Sequence, residues 1–269
     1  CLFNTTSNEP LWIYDSGGPA EDNVLPVSIS ADGEYIAASL NDGEVYLFGK
    51  DNSTPLWNYT TSGDVLSVAI SADGEYIAVG SHDDKVYLFD KDSSTPLWSY
   101  TADYRVDSVS ISADGDYIVA STSEMDYNGN LGGILFFEKN SSTPIWSYET
   151  NGDVNSVSIS ADGEYIIASC DYGNVYLFDK DSSTPLWSYS TGGDYARTVA
   201  ISADGEYIVA GSSDDKVYLF GKDSSTPLWS YETGSDIETV AISADGEYIV
   251  IGGGDGAQKV YLFDKDSST

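Results

Sequence analysis

The sequence predicts an all-β fold, a six-bladed β-propeller of four-stranded antiparallel blades, on three observations. The phrase Ser-Ala-Asp-Gly-(Glu/Asp)-Tyr-Ile begins at Ser30, Ser71, Ser112, Ser160, Ser202 and Ser243, with spacings of 41, 41, 48, 42 and 41 residues. A second phrase, Pro-(Leu/Ile)-Trp, puts one tryptophan in each repeat: Trp12, Trp57, Trp98, Trp146, Trp187 and Trp229. A period in the low forties with four strand-like runs is a propeller signature. Third, the chain opens on Pro10-Leu11-Trp12 with no inner strands before it and stops at Thr269, where the next Pro-Leu-Trp would start. We therefore expect the N-terminal strand to complete the last blade and close the ring, which removes two sheet edges. Residues 1–9 read as an N-terminal arm and 10–269 as a single domain.

One repeat justifies the strands in order. Residues 65–70, Val-Leu-Ser-Val-Ala-Ile, are short, β-branched and flanked by turn residues, as an innermost strand should be. Asp73-Gly74 supplies the positive φ of a tight turn. Residues 76–79 form the second strand, where small side chains suit a crowded interior. His82-Asp83-Asp84 turns the chain into the third strand at 86–89. A polar turn ending in Pro96 leads to the outer strand at 97–100, and proline is tolerated at a strand start.

These phrases carry a family resemblance. The half reading Ser-Val-Ala-Ile-Ser-Ala-Asp-Gly-Glu-Tyr-Ile resembles the WD40 and YVTN repeats. The half reading Val-Tyr-Leu-Phe-Asp-Lys-Asp-Ser-Ser-Thr-Pro-Leu-Trp-Ser-Tyr resembles the quinoprotein-like (PQQ-like) repeat. The likeness covers nearly everything beyond the first nine residues and implies the propeller fold. The WD40 pattern is departed from: Phe89-Asp90, Phe178-Asp179 and Phe263-Asp264 stand for Trp-Asp, and the usual Gly-His is absent. Mixed repeats of this type look like those of archaeal and bacterial surface proteins.

Charge excludes some partners. Eleven Lys and Arg face 44 Asp and Glu, for a formal charge of −33 spread along the chain. Nucleic acid and polybasic membrane contacts are disfavoured, since both rely on Lys and Arg. Solubility in a salty or crowded exterior explains so much acid better than an acidic active site does, and divalent cations remain as counterions. No stretch is long and apolar enough to span a bilayer.

An extracellular or cell-surface address is expected. Cys1 followed by a polar run resembles the lipid-bearing cysteine of a processed prokaryotic lipoprotein; an arbitrary chain boundary is the other reading. Sequons at Asn4, Asn52, Asn58 and Asn140 fit that address. Cys170 reads first as a buried free thiol and, as the sharper alternative, as half of an intersubunit disulfide with Cys1.

The sequence presents no catalytic constellation. The single histidine, His82, can build neither a His-based metal cluster nor a triad. The quinoprotein dehydrogenases that the repeat resembles use eight blades, calcium and adjacent cysteines, so a bound quinone is not expected and no cofactor is assigned. The sialidase box is absent, and carboxylates are too abundant to mark a glycosidase pair. The insertion at 121–133 holds Asp126, Asn128 and Asn130 at the alternate spacing of a calcium loop. Leu131 replaces its glycine, however, and Phe137 its bidentate glutamate, so a plain polar loop is the better reading.

Differences between blades point to a binding face. On the inner strand, Val27, Val68, Val109, Val157, Val199 and Val240 do not vary. Two residues earlier stand Leu25, Leu66, Asp107, Asn155, Arg197 and Glu238; two earlier again stand Asn23, Asp64, Arg105, Asp153, Tyr195 and Asp236. Strand alternation puts these columns on the valine face near the strand entrance, beside a central channel. Tyr104, Tyr172 and Tyr195 add contact groups enriched at interfaces. The leading expectation is a non-catalytic scaffold binding a protein or glycan through this face. A subunit self-associating into a surface layer or filament is the alternative, and an acidic-residue hydrolase or quinoprotein-like enzyme ranks third.

Overall fold

The computed structural model describes residues 2–3, 9–15, 24–40, 43–124, 131–254 and 259–267. The described residues contain strands and no helix. A short pair, β1 (Leu2–Phe3) and β2 (Pro10–Trp12), precedes the repeats. Blade 1 is β3 (Val24–Ile29), β4 (Tyr35–Leu40), β5 (Glu44–Gly49) and β6 (Pro55–Thr60). Blade 2 is β7 (Val65–Ile70), β8 (Tyr76–Ser81), β9 (Lys85–Asp90) and β10 (Trp98–Thr101). Blade 3 is β11 (Arg105–Ile111), β12 (Tyr117–Ser123), β13 (Gly132–Glu138) and β14 (Trp146–Thr150). Blade 4 is β15 (Val154–Ile159), β16 (Tyr165–Cys170), β17 (Asn174–Asp179) and β18 (Trp187–Ser190). Blade 5 is β19 (Ala196–Ile201), β20 (Tyr207–Ser212), β21 (Lys216–Gly221) and β22 (Trp229–Glu232). Blade 6 shows β23 (Ile237–Ile242), β24 (Tyr248–Gly253) and β25 (Val260–Asp264). Each blade is an antiparallel sheet in sequence order, as a propeller requires.

The core lies between blades. Leu47 and Ala37 of blade 1 pack on Val68, Ile70 and Phe89 of blade 2, and the same columns meet at the next four junctions. Each outer-strand tryptophan spans a junction: Trp57 lies 5.3 Å from the Phe89 ring and its Nε1–H donates to the Lys91 carbonyl at 2.8 Å. Backbone pairs tie neighbouring turns, as where Ala72 N–H donates to Ala113 O at 2.9 Å.

The repeated Ser-Ala-Asp-Gly phrase builds the turn after every inner strand. Ser112 Oγ–H donates to Asp114 Oδ1 at 2.7 Å, while Asp116 N–H donates to the same oxygen at 3.0 Å. Gly115 takes φ +73°, and the ring of Tyr76 from the preceding blade lies over it. Lys139 closes the arrangement, pairing with Asp116 and standing 4.9 Å above the Tyr76 ring.

One expectation needs correction. The third-blade insertion is partly regular: Ser121, Thr122 and Ser123 pair with Ile134, Gly133 and Gly132, so a longer hairpin absorbs both its ends. Among the described residues, β2 pairs with β1, and β25 pairs with β24. Trp12 nevertheless sits where an outer strand of a preceding blade would put it, 5.4 Å from Phe48, with Nε1–H donating to Lys50 O at 2.8 Å.

Candidate functional site

The varied inner-strand column sits on a β-bulge. The β11–β12 register jumps between Val106 and Ser108, leaving Asp107 unpaired. Equivalent jumps release Leu66, Asn155, Arg197 and Glu238. An extra residue reverses the side-chain alternation on its N-terminal side. Simple alternation put Asp107 on the face of Val109; the bulge instead sends Val106 and Val109 together into one core. Val154 with Val157, and Ala196 with Val199, behave alike. The bulged residue is therefore free to differ in each blade without disturbing the core. All of these positions lie at the start of an inner strand, on one rim.

Two charged groups occupy that rim. In the first, Arg105 Nε lies 2.9 Å from Asp107 Oδ1. Asp153 accepts from Glu124 N–H at 3.1 Å. Burial, and then the negative charge of Asp171, raises its pKa above the ordinary carboxylate value, with Arg105 pulling the other way. Asn155 Nδ2 donates to Asp171 Oδ1 and to the Ala196 carbonyl, each at 3.1 Å, which carries the network into β19. In the second group, Arg197 Nη2 donates to Asp236 Oδ2 at 2.8 Å, and its Nε is 3.7 Å from Glu238 Oε1. Its guanidinium stands 5.4 Å from the centre of the Tyr195 ring, a cation–π contact. Two shallow polar cavities of about 570 and 360 Å3 share Arg197 and Asp236.

Both arginines are thus engaged within the chain. Arg105 lies among Asp107, Asp153 and Asp171, and Arg197 faces Asp236 and Glu238, so the rim is net anionic. Asp153, Asp171 and Asp236 join the residues that the sequence singles out. Two of them stood in a varied column, but only the bulge shows which acids meet which arginine.

The tyrosines divide. Tyr195 is exposed beside Arg197. Tyr172 is exposed in a turn where it takes φ +60° and Gly173 +69°, the paired left-handed angles of a type I′ hairpin. A bulky residue rarely adopts that angle. Tyr104 is half-buried in a cavity of about 180 Å3 with Leu131 and Glu149, and burial raises its hydroxyl pKa.

Asn52, Asn58 and Asn140 are exposed, as glycan acceptors must be. Asn4, Cys1 and the calcium-loop candidates Asp126, Asn128 and Asn130 lie outside the described residues. Cys170 is a free thiol buried in the core between blades 3 and 4. Burial, and then the negative charge of Asp171, pushes its pKa up.

The model of the family described as outer membrane protein assembly factor BamB, a PQQ-type repeat, matches residues 41–268. The chain belongs to this family. No curated protein matches it. Of the two resemblances, the quinoprotein-like one is thereby shown, and a BamB-family chain is a β-propeller repeat scaffold of a family associated with the cell envelope.

Proposed function

We propose that this BamB-family propeller is a non-catalytic scaffold of the cell envelope that holds a protein partner on the rim built by β11, β15, β19 and β23. One observation carries the reading: bulges in the inner strands of blades 2 to 6 release Leu66, Asp107, Asn155, Arg197 and Glu238, all different, while the opposite rim repeats one Ser-Asp-Gly turn. Bulges commonly re-aim side chains at functional edges. Acids outnumber the two arginines, so the partner presents a basic patch, and attraction between opposite charges speeds and orients its docking. A protein fits this ionic surface, and the family description, better than a neutral glycan. The scaffold works at the cell surface, with the exposed sequons at Asn52, Asn58 and Asn140 as glycan sites.

The test places a photo-crosslinking residue at Tyr195 or Tyr172 and, on the opposite rim, at Asp73 or Asp114, in cells of the source organism. The same partner is expected from both tyrosine positions, absent from both aspartate positions, and lost in about 0.5 M salt, where exposed charges are screened. Equal capture from the two rims, or none from either, would overturn the reading.

A further inference from the structure

A tyrosine recurs inside the third strand of five blades, at Tyr46, Tyr87, Tyr176, Tyr218 and Tyr261. At four junctions this ring meets a tyrosine from the outer strand of the preceding blade. Tyr59 and Tyr87, Tyr148 and Tyr176, Tyr189 and Tyr218, and Tyr231 and Tyr261 have ring centres 5.4 to 5.9 Å apart. Two of the hydroxyls end on an acid: Tyr87 Oη–H donates to Asp83 Oδ2 at 2.6 Å, and Tyr218 Oη–H donates to Asp214.

Blade 3 breaks the series. Its third strand carries Leu135 where the others carry tyrosine, so the outer-strand Tyr100 of blade 2 packs with Leu135 and with Phe137, the latter at 5.3 Å. Two residues earlier, Gly133 stands where blades 2, 5 and 6 have Lys85, Lys216 and Lys259. The register pairs Leu135 with Ser147 and Gly133 with Glu149, which puts all four on one face of the blade. Between that face and Tyr100 lies the cavity of about 180 Å3, with Tyr104, Asp103 and Glu149 in its wall. A protein cavity of about 150 Å3 is enough to admit benzene, so a phenol ring fits this one.

The wall matches the same ring chemically. Leu135 and the Tyr100 ring are apolar, while Asp103 and Glu149 offer carboxylates of the kind that hold Tyr87 and Tyr218 elsewhere. A guanidinium or ammonium would pair with those carboxylates but would put charge against Leu135. A phenol covers Leu135 and still has one hydrogen bond to donate. The cavity is also in reach of a partner: Tyr104 immediately precedes Arg105, the first residue of β11, and Leu131 in the cavity wall is exposed.

We propose that this cavity binds the phenol ring of a tyrosine side chain presented by the protein that docks on the varied rim. The partner then supplies the ring that blade 3 lacks, stacked against Tyr100 or Tyr104 and donating its hydroxyl to Asp103 or Glu149. The source of the ring rests on the partner reading given above, whereas the preference of the cavity for a phenol does not.

The probe is para-cresol, the side chain of tyrosine as a free molecule, titrated into the isotope-labelled full chain and followed by NMR. The backbone amides of Tyr104, Gly133 and Glu149 should shift together and saturate in the millimolar range. Leu135→Tyr, which restores the residue of the other blades, should keep a dispersed spectrum and abolish these shifts. Tyr104→Ala changes a half-buried residue at the surface and should weaken binding about threefold to tenfold, the worth of one aromatic pair. Shifts that do not saturate in the unmodified chain overturn the proposal. So does binding undiminished in Tyr104→Ala and in Leu135→Tyr, or tighter binding of ethylguanidinium at the same amides. A partner crosslinked from Tyr195 with no cresol bound removes this proposal and leaves the rim reading standing. Cresol bound at these amides with no crosslinked partner supports the cavity and removes the rim reading.

Discussion

Arg197 Nη2 stands 2.8 Å from Asp236 Oδ2 and ties the start of β19 to the start of β23 across a blade junction. Both side chains are partly exposed, so the pair is worth little by itself, about 0.2 to 1 kcal/mol. Arg197→Ala should nonetheless cost more than that range suggests for one contact, because it leaves Asp236 and Glu238 facing each other without a cation. A double-mutant cycle with Asp236→Ala in urea should show a coupling of about 0.5 kcal/mol. Strict additivity would mean that the pair contributes nothing to the junction.

Gly115 offers a sharper contrast. Its φ is +73°, and a Cβ there would come within 2.4 Å of the Tyr76 ring. Gly115→Ala should therefore lose about 2 to 4 kcal/mol from backbone strain and the displaced tyrosine. Gly221 has open space around it. Gly221→Ala should lie within about 0.5 kcal/mol of the unmodified chain. Urea midpoints of the two variants check both outcomes.

Asp153 makes a prediction in pH. Burial and Asp171 raise its pKa in the folded state above its ordinary value. The folded chain then keeps a proton that the unfolded chain has already released, so stability falls as pH rises through that interval. Asp153→Asn should remove this cost while keeping an oxygen for Glu124 N–H. Its thermal midpoint near pH 7 should rise by about 2 °C, and the gain should vanish below about pH 4, where both states are protonated.

Cys170 should be chemically silent in the native protein. Its thiol is buried, and burial holds it protonated, whereas the thiolate is the reactive form. With Cys1→Ser present to isolate it, Cys170 should resist a thiol reagent at about pH 8 and react once urea unfolds the chain. Rapid labelling of the native protein would show that the core between blades 3 and 4 opens.

The strand pattern was legible because each repeat presents the same apolar columns and the same turn phrase. Asp73-Gly74 announces its own φ, and Pro96 its own strand start. The rim was only half legible. Its residues could be singled out because they vary against a constant background, yet counting by twos from Val109 assigned Asp107 the wrong face. A bulge leaves no local mark in Arg105-Val106-Asp107-Ser108, since any of these residues tolerates it. The junction is what selects it: Val106 and Val109 both bury only if one residue between them is extruded.

The sequence alone determined the number of blades, the strand order within each, and the alternation of a uniform rim with a varied one. Those properties come from local propensity and periodicity, which repetition amplifies sixfold. Tertiary structure decided what no single repeat contains. It engaged Arg197 with Asp236 and Glu238 of the next blade and seated Trp12 on Phe48. Each depends on how one blade meets another, and that is set by packing between distant segments.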